Sequence, residues 1–151
     1  MSEAFSLTDE HRRVIGKEFS RIEQHVTREM LLNYADIMGT THPLYIDAEA
    51  ARARGYRDII AMPTFIIADA ASPLVPPEIP FEGGGLNAGY TCTFNGNIYP
   101  GDTLIYATCI ADLYAKTGRS GTLHFIVRET TVTNQHEETV AIVRNSFILR
   151  W

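Results

Sequence analysis

One almost wholly apolar segment, MPTFIIADAAS at residues 62–72, limits what this chain can fold into more than any other feature. Pro63 suits the first turn of a helix and Pro73 falls just past the end, so the two prolines predict a helix over about residues 63–71. A helix that is apolar on nearly every side is stable only when other parts of the chain cover it. The rest of the sequence must therefore supply that cover.

Four strand-like segments follow the helix. They are LNAGYTCTFN, DTLIYATCIADLYAK, TLHFIVRETTVTN and ETVAIVRNSFILRW, and the turn sequences IYPGD, TGRSG and QHE separate them. Short turns imply antiparallel neighbours. Two of the strands are about 13 residues or longer, and strands of that length twist and curl strongly. The pattern predicts an α+β fold in which a curled antiparallel β-sheet wraps around a central buried helix.

The part of the chain before the apolar segment is predicted to be mostly helical. Thr8 caps a short opening helix, EFSRIEQHV is an edge strand, and Thr27 caps the helix REMLLNYADIM, which ends at Gly39. Asp47 caps a further helix, AEAARAR. Five residues at helical spacing are expected to form the buried stripe of the helix after Thr27: Met30, Leu31, Tyr34, Ile37 and Met38.

Length and composition fit one globular unit. The chain has 151 residues, of which 45% are hydrophobic, and this predicts a single domain over residues 1–151. The segment SPLVPPEIPFEGGG is rich in proline and glycine and has no periodicity. It predicts a flexible loop at residues 72–85, which is either a lid or a disordered connection.

Charge and cysteine content exclude several classes of protein. A net charge of −5 argues against binding to nucleic acid or to an acidic membrane surface. No apolar run approaches the roughly 20 residues of a membrane span, and the first residues lack the pattern of a secretory signal. Cys92 and Cys109 lie in strand-like patterns without the spacing of a zinc site. We therefore expect a cytoplasmic protein with no disulfide, no metal and no other cofactor.

Four short motifs occur in a characteristic order along the chain. They are GTTHPLY at residues 39–45, AMPTF at 61–65, PGDTL at 100–104 and RETTVTN at 128–134. In this order the chain resembles the MaoC-like hydratases and dehydratases of the hot-dog fold, and most closely their N-terminal, FAS1-like dehydratase half. The likeness extends from about Ile15 to Arg150.

The resemblance implies an activity and partners. Members of this family act on acyl thioesters of coenzyme A or acyl carrier protein, in the chemistry of fatty-acid metabolism. Two hot-dog units pair side by side, so the resemblance implies a homodimer or a heterodimer with a catalytic MaoC-like chain. In such pairs one half often lacks the catalytic residues and shapes the acyl-binding channel for the other.

The catalytic motif of the family is altered here. Active members carry Gly-Asp-x-Asn-Pro-x-His, in which Asp and His activate the water that adds to the double bond of an enoyl thioester. This chain has Thr40 at the Asp position, His42 at the Asn position and Tyr45 at the His position. Threonine is no base near neutral pH, and tyrosine, with a reference pKa of about 10, is a poor one. The resemblance therefore implies an acyl-binding half that lacks the usual pair.

The donor to the thioester oxygen is altered as well. Active members place His-Gly at the start of the buried helix, and the Gly N–H binds the oxygen as negative charge develops. Met62 and Pro63 stand there in this chain, and proline has no N–H to donate. The N–H of Thr64, free at a helix N-terminus, is the expected substitute.

Other functions remain open from the residues. A self-sufficient hydratase would use His42 as a displaced base, with Asp36 or Asp47 to orient it and Tyr45 as the acid. A thioesterase would use Asp69, the one carboxylate on the apolar helix. A third alternative is a non-catalytic module that only binds acyl-CoA.

Substrate-binding residues are predicted on two sides of a slot. Small side chains at Ala68, Ala70 and Ala71 leave volume beside the first strand after the loop. The expected lining residues are Met62, Pro63, Thr64, Ala68, Ala71, Tyr90 and Phe94. Arg52, Arg54 and Arg57 are either ligands of coenzyme A phosphates or ordinary surface charges.

Along the strands, aromatic residues are expected in the core first and in an acyl channel second. These are Tyr90, Phe94, Tyr106 and Phe125. In the third strand Leu123, Phe125 and Val127 alternate with His124 and Arg128, and we expect His124 and His136 to be solvated.

Overall fold

The computed structural model describes residues 7–67, 72–81 and 85–149. Its elements are α1 (Asp9–Arg12), β1 (Glu18–His25), α2 (Arg28–Ile37), α3 (Pro43–Ile46), α4 (Ala48–Ala53), a 3₁₀ helix (Pro63–Ile67), β2 (Gly85–Phe94), β3 (Thr103–Gly118), β4 (Gly121–Thr133) and β5 (Thr139–Leu149). All strand pairs are antiparallel, and the five strands form one sheet in the order β1-β3-β4-β5-β2. The predicted α+β fold with a curled sheet is confirmed.

The main core lies between the concave face of the sheet and the short 3₁₀ helix. Phe65 and Ile66 of this helix are 7% and 4% exposed. They pack in one cluster with inward-facing residues of the sheet such as Leu104, Tyr106 and Val132. The predicted helix begins at Pro63 as expected, but its first turn is 3₁₀, which is common at helix ends. Its predicted continuation over residues 68–71 lies outside the described residues.

A second, smaller core cluster fills the other end of the sheet. It contains Val14, Ile110, Leu113, Ile126, Phe147 and Leu149 together with Ile79 of the loop. Ile79 is 2% exposed, so the described part of this loop, residues 72–81, is anchored to the body of the protein. The flexibility expected for residues 72–85 stays a prediction, and β2 already begins at Gly85.

Helix α2 is capped as predicted but buries a shorter stripe. The Thr27 hydroxyl accepts a hydrogen bond from Met30 N at 3.2 Å. The fully buried residues of the helix are Leu31 and Ala35. The prediction was wrong for Ile37 and Met38, which are 80% and 50% exposed. The apolar periodicity continues for one turn after the helix has left its packing surface, so the last turn presents apolar side chains to solvent.

A buried carboxylate fastens the turn before β3. Asp102 is 2% exposed. It accepts hydrogen bonds from Arg57 Nη2 at 2.6 Å, Tyr99 N at 2.8 Å and Gln135 Nε2 at 3.1 Å. Its backbone carbonyl accepts one from Val26 N at 2.8 Å. The side chain of Asp102 therefore joins the start of β3, the segment after α4 and the turn between β4 and β5, and its backbone carbonyl adds the end of β1.

The face of strand β4 that packs on the core is the one that carries His124, and not the one that carries Leu123 and Phe125. His124, expected in solvent, is 6% exposed. It stands two residues before Ile126, which is fully buried, and the alternation places both on the concave face. Leu123 is 37% exposed on the opposite face, where the rings of Phe125 and Tyr114 stack at 4.8 Å. The prediction that His124 is solvated is wrong, while His136 is exposed as expected.

The burial of His124 predicts a specific acid sensitivity. Burial lowers the pKa of its imidazole because the charged form loses its hydration. The folded state therefore disfavours the bound proton. Stability is complete above the unfolded-state pKa of about 6.5 and falls as the pH drops through it toward the lower folded-state pKa. Each pKa unit of lowering corresponds to about 1.4 kcal/mol of lost stability at acid pH.

When the pH is lowered from about 7 to about 5, we expect the Tm of the His124→Leu variant to fall less than the Tm of the unmodified protein. His136→Leu is the matched control because its imidazole is exposed, and its profile should follow that of the unmodified chain. Thermal unfolding monitored by circular dichroism gives the three profiles. Identical profiles for His124→Leu and the unmodified chain would show that this histidine does not titrate on unfolding.

Candidate functional site

The segment GTTHPLY leads into a one-turn helix, α3, which begins at Pro43. Gly39 has a φ of 69°, the left-handed conformation that lets the chain turn out of α2. The Thr40 hydroxyl accepts a hydrogen bond from His42 N at 3.2 Å. Pro43 begins α3, and His42 Nδ1 caps it by accepting from Leu44 N at 3.3 Å. Two of the three residues at altered catalytic positions therefore bind their own backbone.

This capping restricts His42 as a base. A neutral imidazole that accepts at Nδ1 carries its proton at Nε2, so neither nitrogen offers a free lone pair in this arrangement. Of the two acids considered to orient it, Asp47 is occupied, because its Oδ1 accepts from Glu49 N and Ala50 N at the start of α4. Within the described part of the chain, no hydrogen bond or ion pair joins His42 to Asp36 or Asp47. The ring of His42 instead lies 5.3 Å from the ring of Tyr45.

A small cavity of about 90 Å³ brings together four residues singled out in the sequence. Tyr45, Met62, Pro63 and Phe94 all line it, with Ile66 at its inner wall. Phe94 is 48% exposed because it lies on the edge strand β2. The altered catalytic segment, the start of the 3₁₀ helix and β2 therefore meet at one place.

Thr64, at the second position of the 3₁₀ helix, is not among the residues that line this cavity, although its neighbour Pro63 is. The hydroxyl oxygen of Thr64 accepts a hydrogen bond from the Tyr34 hydroxyl at 3.0 Å. Because the first helical hydrogen bond runs from Phe65 N to Met62 O, the N–H of Thr64 has no acceptor within the helix. It is the backbone donor nearest the position where proline has removed one.

A larger cavity of about 360 Å³ lies on the other side of Ile66. Its apolar walls are formed by Ile22, Ile66, Ile67, Leu74 and Val143, and Tyr90 of β2 also lines it. Its floor is the concave face of the sheet, where the side chains are polar: Thr108, Arg128, Thr130 and Asn145. The alanines predicted to line a slot, Ala68, Ala70 and Ala71, and the alternative catalytic residue Asp69 lie outside the described residues.

The three arginines considered for phosphate binding do not converge. Arg57 pairs with Asp102 and lies over the ring of Tyr99 at 4.1 Å. Arg52 donates to the carbonyl oxygen of Arg57 at 3.3 Å and lies 3.9 Å from Asp58 Oδ2. Arg54 is exposed. Two of the three thus have structural contacts, and coenzyme A binding by this group stays a prediction.

Arg128 and Asn145 are site residues that sequence reasoning missed. Their signal is present in the alternation of β4, because Arg128 lies at even spacing from Ile126 and Val132, which are both fully buried. A charge that shares a strand face with buried residues marks either an ion pair or a ligand site. In the sequence it stood inside the motif RETTVTN and drew no separate interpretation.

The remaining reactive side chains add no second chemistry. Cys92 and Cys109 are free thiols, and burial raises the pKa of each. Nowhere in the described ranges do three or more His, Cys, Asp or Glu side chains gather into a group able to hold a metal ion. None of the helices described combines the length and apolar composition that a membrane crossing demands.

The curled five-stranded sheet over a short central helix, with residues 39–45 beside it, defines a hot-dog protein of the hydratase and dehydratase class. The sequence pattern of the FAS1-like dehydratase domain region matches residues 13–143, so the chain belongs to this family. The predicted family is confirmed.

Relatives and solved structures agree with this assignment. A UPF0336 protein of Saccharopolyspora erythraea is 26% identical over 145 residues, which is 90% of this chain and 88% of the relative. A UPF0336 protein of Streptomyces griseus is 56% identical, but over 41 residues that span 27% of each chain. In the HadBC (3R-hydroxyacyl-ACP dehydratase) complex of Mycobacterium tuberculosis, a chain with 20% identity superposes with a TM-score of 0.73, covering 90% of this chain and 97% of that one.

Two further structures have the same fold. A chain of the ChsH1-ChsH2 complex of Mycobacterium tuberculosis has a TM-score of 0.73 at 20% identity, over 87% of this chain and 83% of that one. The R-hydratase PhaJ1 of Pseudomonas aeruginosa has a TM-score of 0.68 at 20% identity, over 89% and 80%. At these identities the likeness establishes the shared fold.

Proposed function

We propose that this chain is the acyl-thioester-binding half of a hydratase or dehydratase, and that a hot-dog partner supplies the Asp/His pair. The observation that carries the proposal is the state of residues 39–45. The side chains of Thr40 and His42 accept hydrogen bonds from nearby backbone N–H groups, those of His42 and Leu44. Tyr45 stands where active members of the family have the basic histidine. Hydration of an enoyl thioester needs a base that takes a proton from water, and this segment offers none.

What the chain does offer is a place for the substrate. The small cavity is lined by Tyr45, Pro63 and Phe94. The N–H of Thr64, the residue after Pro63, is suited to the thioester oxygen. The larger cavity behind Ile66 provides volume for the acyl chain. The substrate is a thioester of coenzyme A or acyl carrier protein, and the setting is cytoplasmic fatty-acid metabolism.

The edge strand β2 supports a partner at this side of the molecule. Among the described strands it pairs with β5 alone, and none of them covers its other edge. Leu86, Tyr90 and Phe94 are each 48% exposed along it. A ten-residue open edge with large apolar side chains is prone to pair with another chain. The solved structures named as the HadBC and ChsH1-ChsH2 complexes contain chains of this fold in assemblies. We infer that a second hot-dog chain, identical or catalytic, covers β2.

Replacement of Leu86 by Glu tests this assembly. The unmodified chain should sediment as a dimer at micromolar concentration, or as a heterodimer with a co-expressed catalytic partner. Leu86→Glu should sediment as a monomer, because a carboxylate buried in an apolar interface loses its hydration. Ile37→Glu is the control, since Ile37 is exposed on α2 and away from the sheet edge. Equal assembly by all three proteins would show that the interface does not include β2. A monomeric unmodified chain that binds no partner would contradict the proposed assembly altogether.

A further inference from the structure

The floor of the larger cavity is polar where packing alone would favour apolar side chains. Arg128 of β4 lies between Ile110 of β3 and Asn145 of β5 in the register of the sheet. One pair further along, the hydroxyls of Thr108 and Thr130 hydrogen-bond to each other at 2.9 Å. The middle of the concave face thus carries a guanidinium, an amide and two hydroxyls beneath a space of about 360 Å³.

Among the described residues, the guanidinium of Arg128 has no counter-charge within ion-pair distance. Its Nε is buried without a hydrogen-bond partner. The ion pairs within residues 7–67, 72–81 and 85–149 do not include Arg128. The adjacent acid, Glu129, points to the other side of the sheet and pairs with Arg144 at 2.6 Å. Burial lowers the pKa of Arg128, and the nearby Tyr90 only partly opposes this effect.

The neighbouring amide is already held in place. Asn145 Nδ2 donates to Asn87 Oδ1 at 3.2 Å and to Gly89 O at 3.1 Å. Its two donors therefore face β2, and Arg128 remains the strong donor toward the cavity. Arginine keeps its charge in proteins and presents a planar fork of N–H groups that matches a carboxylate. An acid entering the cavity would meet this fork across a space with few competing donors.

We propose that this cavity takes an acyl chain whose far end carries a carboxylate, and that Arg128 binds that carboxylate. The inference rests on the proposed function, because it places the thioester at the small cavity beside Tyr45. Ile66 lines both cavities, so a chain that passes it runs from the thioester site to Arg128. The substrate class is thereby narrowed from acyl thioesters to carboxyacyl thioesters, the half-thioesters of dicarboxylic acids. The volume lies within the range of about 300–1,000 Å³ that is typical of small-molecule sites.

Binding of two thioesters of equal length tests the proposal. Adipoyl-CoA ends in a carboxylate and hexanoyl-CoA ends in a methyl group. Titration calorimetry with the full chain should show adipoyl-CoA bound more tightly by about tenfold or more, the effect of one charge-assisted contact. Arg128→Met should abolish the preference by weakening adipoyl-CoA alone, and Arg128→Lys should keep part of it. Arg144→Met is the matched control, because Arg144 is an arginine of the adjacent strand on the opposite face.

Four results of these titrations would overturn the inference, and each can be distinguished from the others. Equal binding of both thioesters by the unmodified chain would show that the cavity does not recognise a terminal carboxylate. The proposed acyl-binding function would remain intact. A preference for adipoyl-CoA that persists in Arg128→Met would show that a residue other than Arg128 binds the carboxylate. Absence of binding by either thioester defeats the proposed function together with the inference. Asp69 lies outside the described residues, and Asp69→Asn should leave the preference for adipoyl-CoA unchanged. A clearly stronger preference in Asp69→Asn would show that Asp69 pairs with Arg128 in the unmodified chain and would contradict the proposal.

Stability provides a readout that does not depend on any ligand. If the role of Arg128 is to bind a ligand carboxylate, its replacement by Met removes a partly buried charge that has no ion-pair partner among the described residues of the free protein. The Tm should therefore rise by about 3 °C. A fall in Tm of the same size would show that Arg128 is held by structural contacts and would overturn its role as a ligand-binding residue.

Discussion

A mixture of this chain with a hot-dog chain that carries the intact Asp/His pair should hydrate crotonyl-CoA about 1,000-fold faster than this chain alone. General acid and base groups contribute typically about 10²–10⁴-fold to such a step. In the isolated chain Thr40 binds a backbone N–H, and His42 uses its one lone pair on Leu44 N. The rate of hydration by the chain alone should therefore equal the background, as followed by the loss of enoyl-thioester absorbance.

Three controls assign the activity to the partner's pair. The partner alone and the mixture with its catalytic histidine replaced should both be far slower than the full mixture. His42→Ala of this chain should leave the mixture unchanged, since the side chain only caps α3. Turnover by the lone chain that disappears in His42→Ala would instead establish a displaced base. Release of free thiol that disappears in Asp69→Asn would establish a thioesterase.

The strands and the order of elements were predictable because they depend on local signals. Alternation, short turn sequences and helix caps each involve residues close in sequence, and Thr8, Thr27 and Asp47 cap their helices as expected. The buried character of the segment after Pro63 was also visible, because a helix that is apolar all round has no solvated face.

The inward face of β4 was not predictable from its own residues. Both faces of this strand contain apolar side chains, with Leu123, Phe125 and Val127 on one and Ile126 and Val132 on the other. The curl of the whole sheet decides which face is concave, and that depends on β3 and β5 as well. His124, which was expected in solvent, consequently lies inside, and Arg128 shares its face of the strand.

The candidate site was predictable where it follows the family motifs. Tyr45, Met62, Pro63 and Phe94 were selected from separate segments and line one cavity. Arg128 was missed because its importance arises from the absence of a partner, which only three-dimensional packing reveals. Asp102 was interpreted as turn chemistry for the same reason, since its burial depends on distant segments that close over it.

Replacement of Asp102 by Ala should lower the free energy of unfolding by about 3 kcal/mol. The carboxylate is 3% exposed and accepts from Arg57, Tyr99 N and Gln135, so its removal leaves several donors without an acceptor. A loss of this size is a large part of the about 5–15 kcal/mol that stabilises a typical domain. Urea unfolding followed by circular dichroism measures it.

The asymmetry of the ion pair gives the matched comparison. The Arg57 side chain is 58% exposed, so water replaces its contacts when it is removed, and Arg57→Ala should cost only about 1 kcal/mol. Its loss also leaves Asp102 with two remaining donors, Tyr99 N and Gln135 Nε2. Equal losses for the two variants would mean that the pair stabilises by mutual attraction. A larger loss for Asp102→Ala would show that the buried acceptor organises the turn, and with it the wall of the small cavity formed by Asn97 and Ile98.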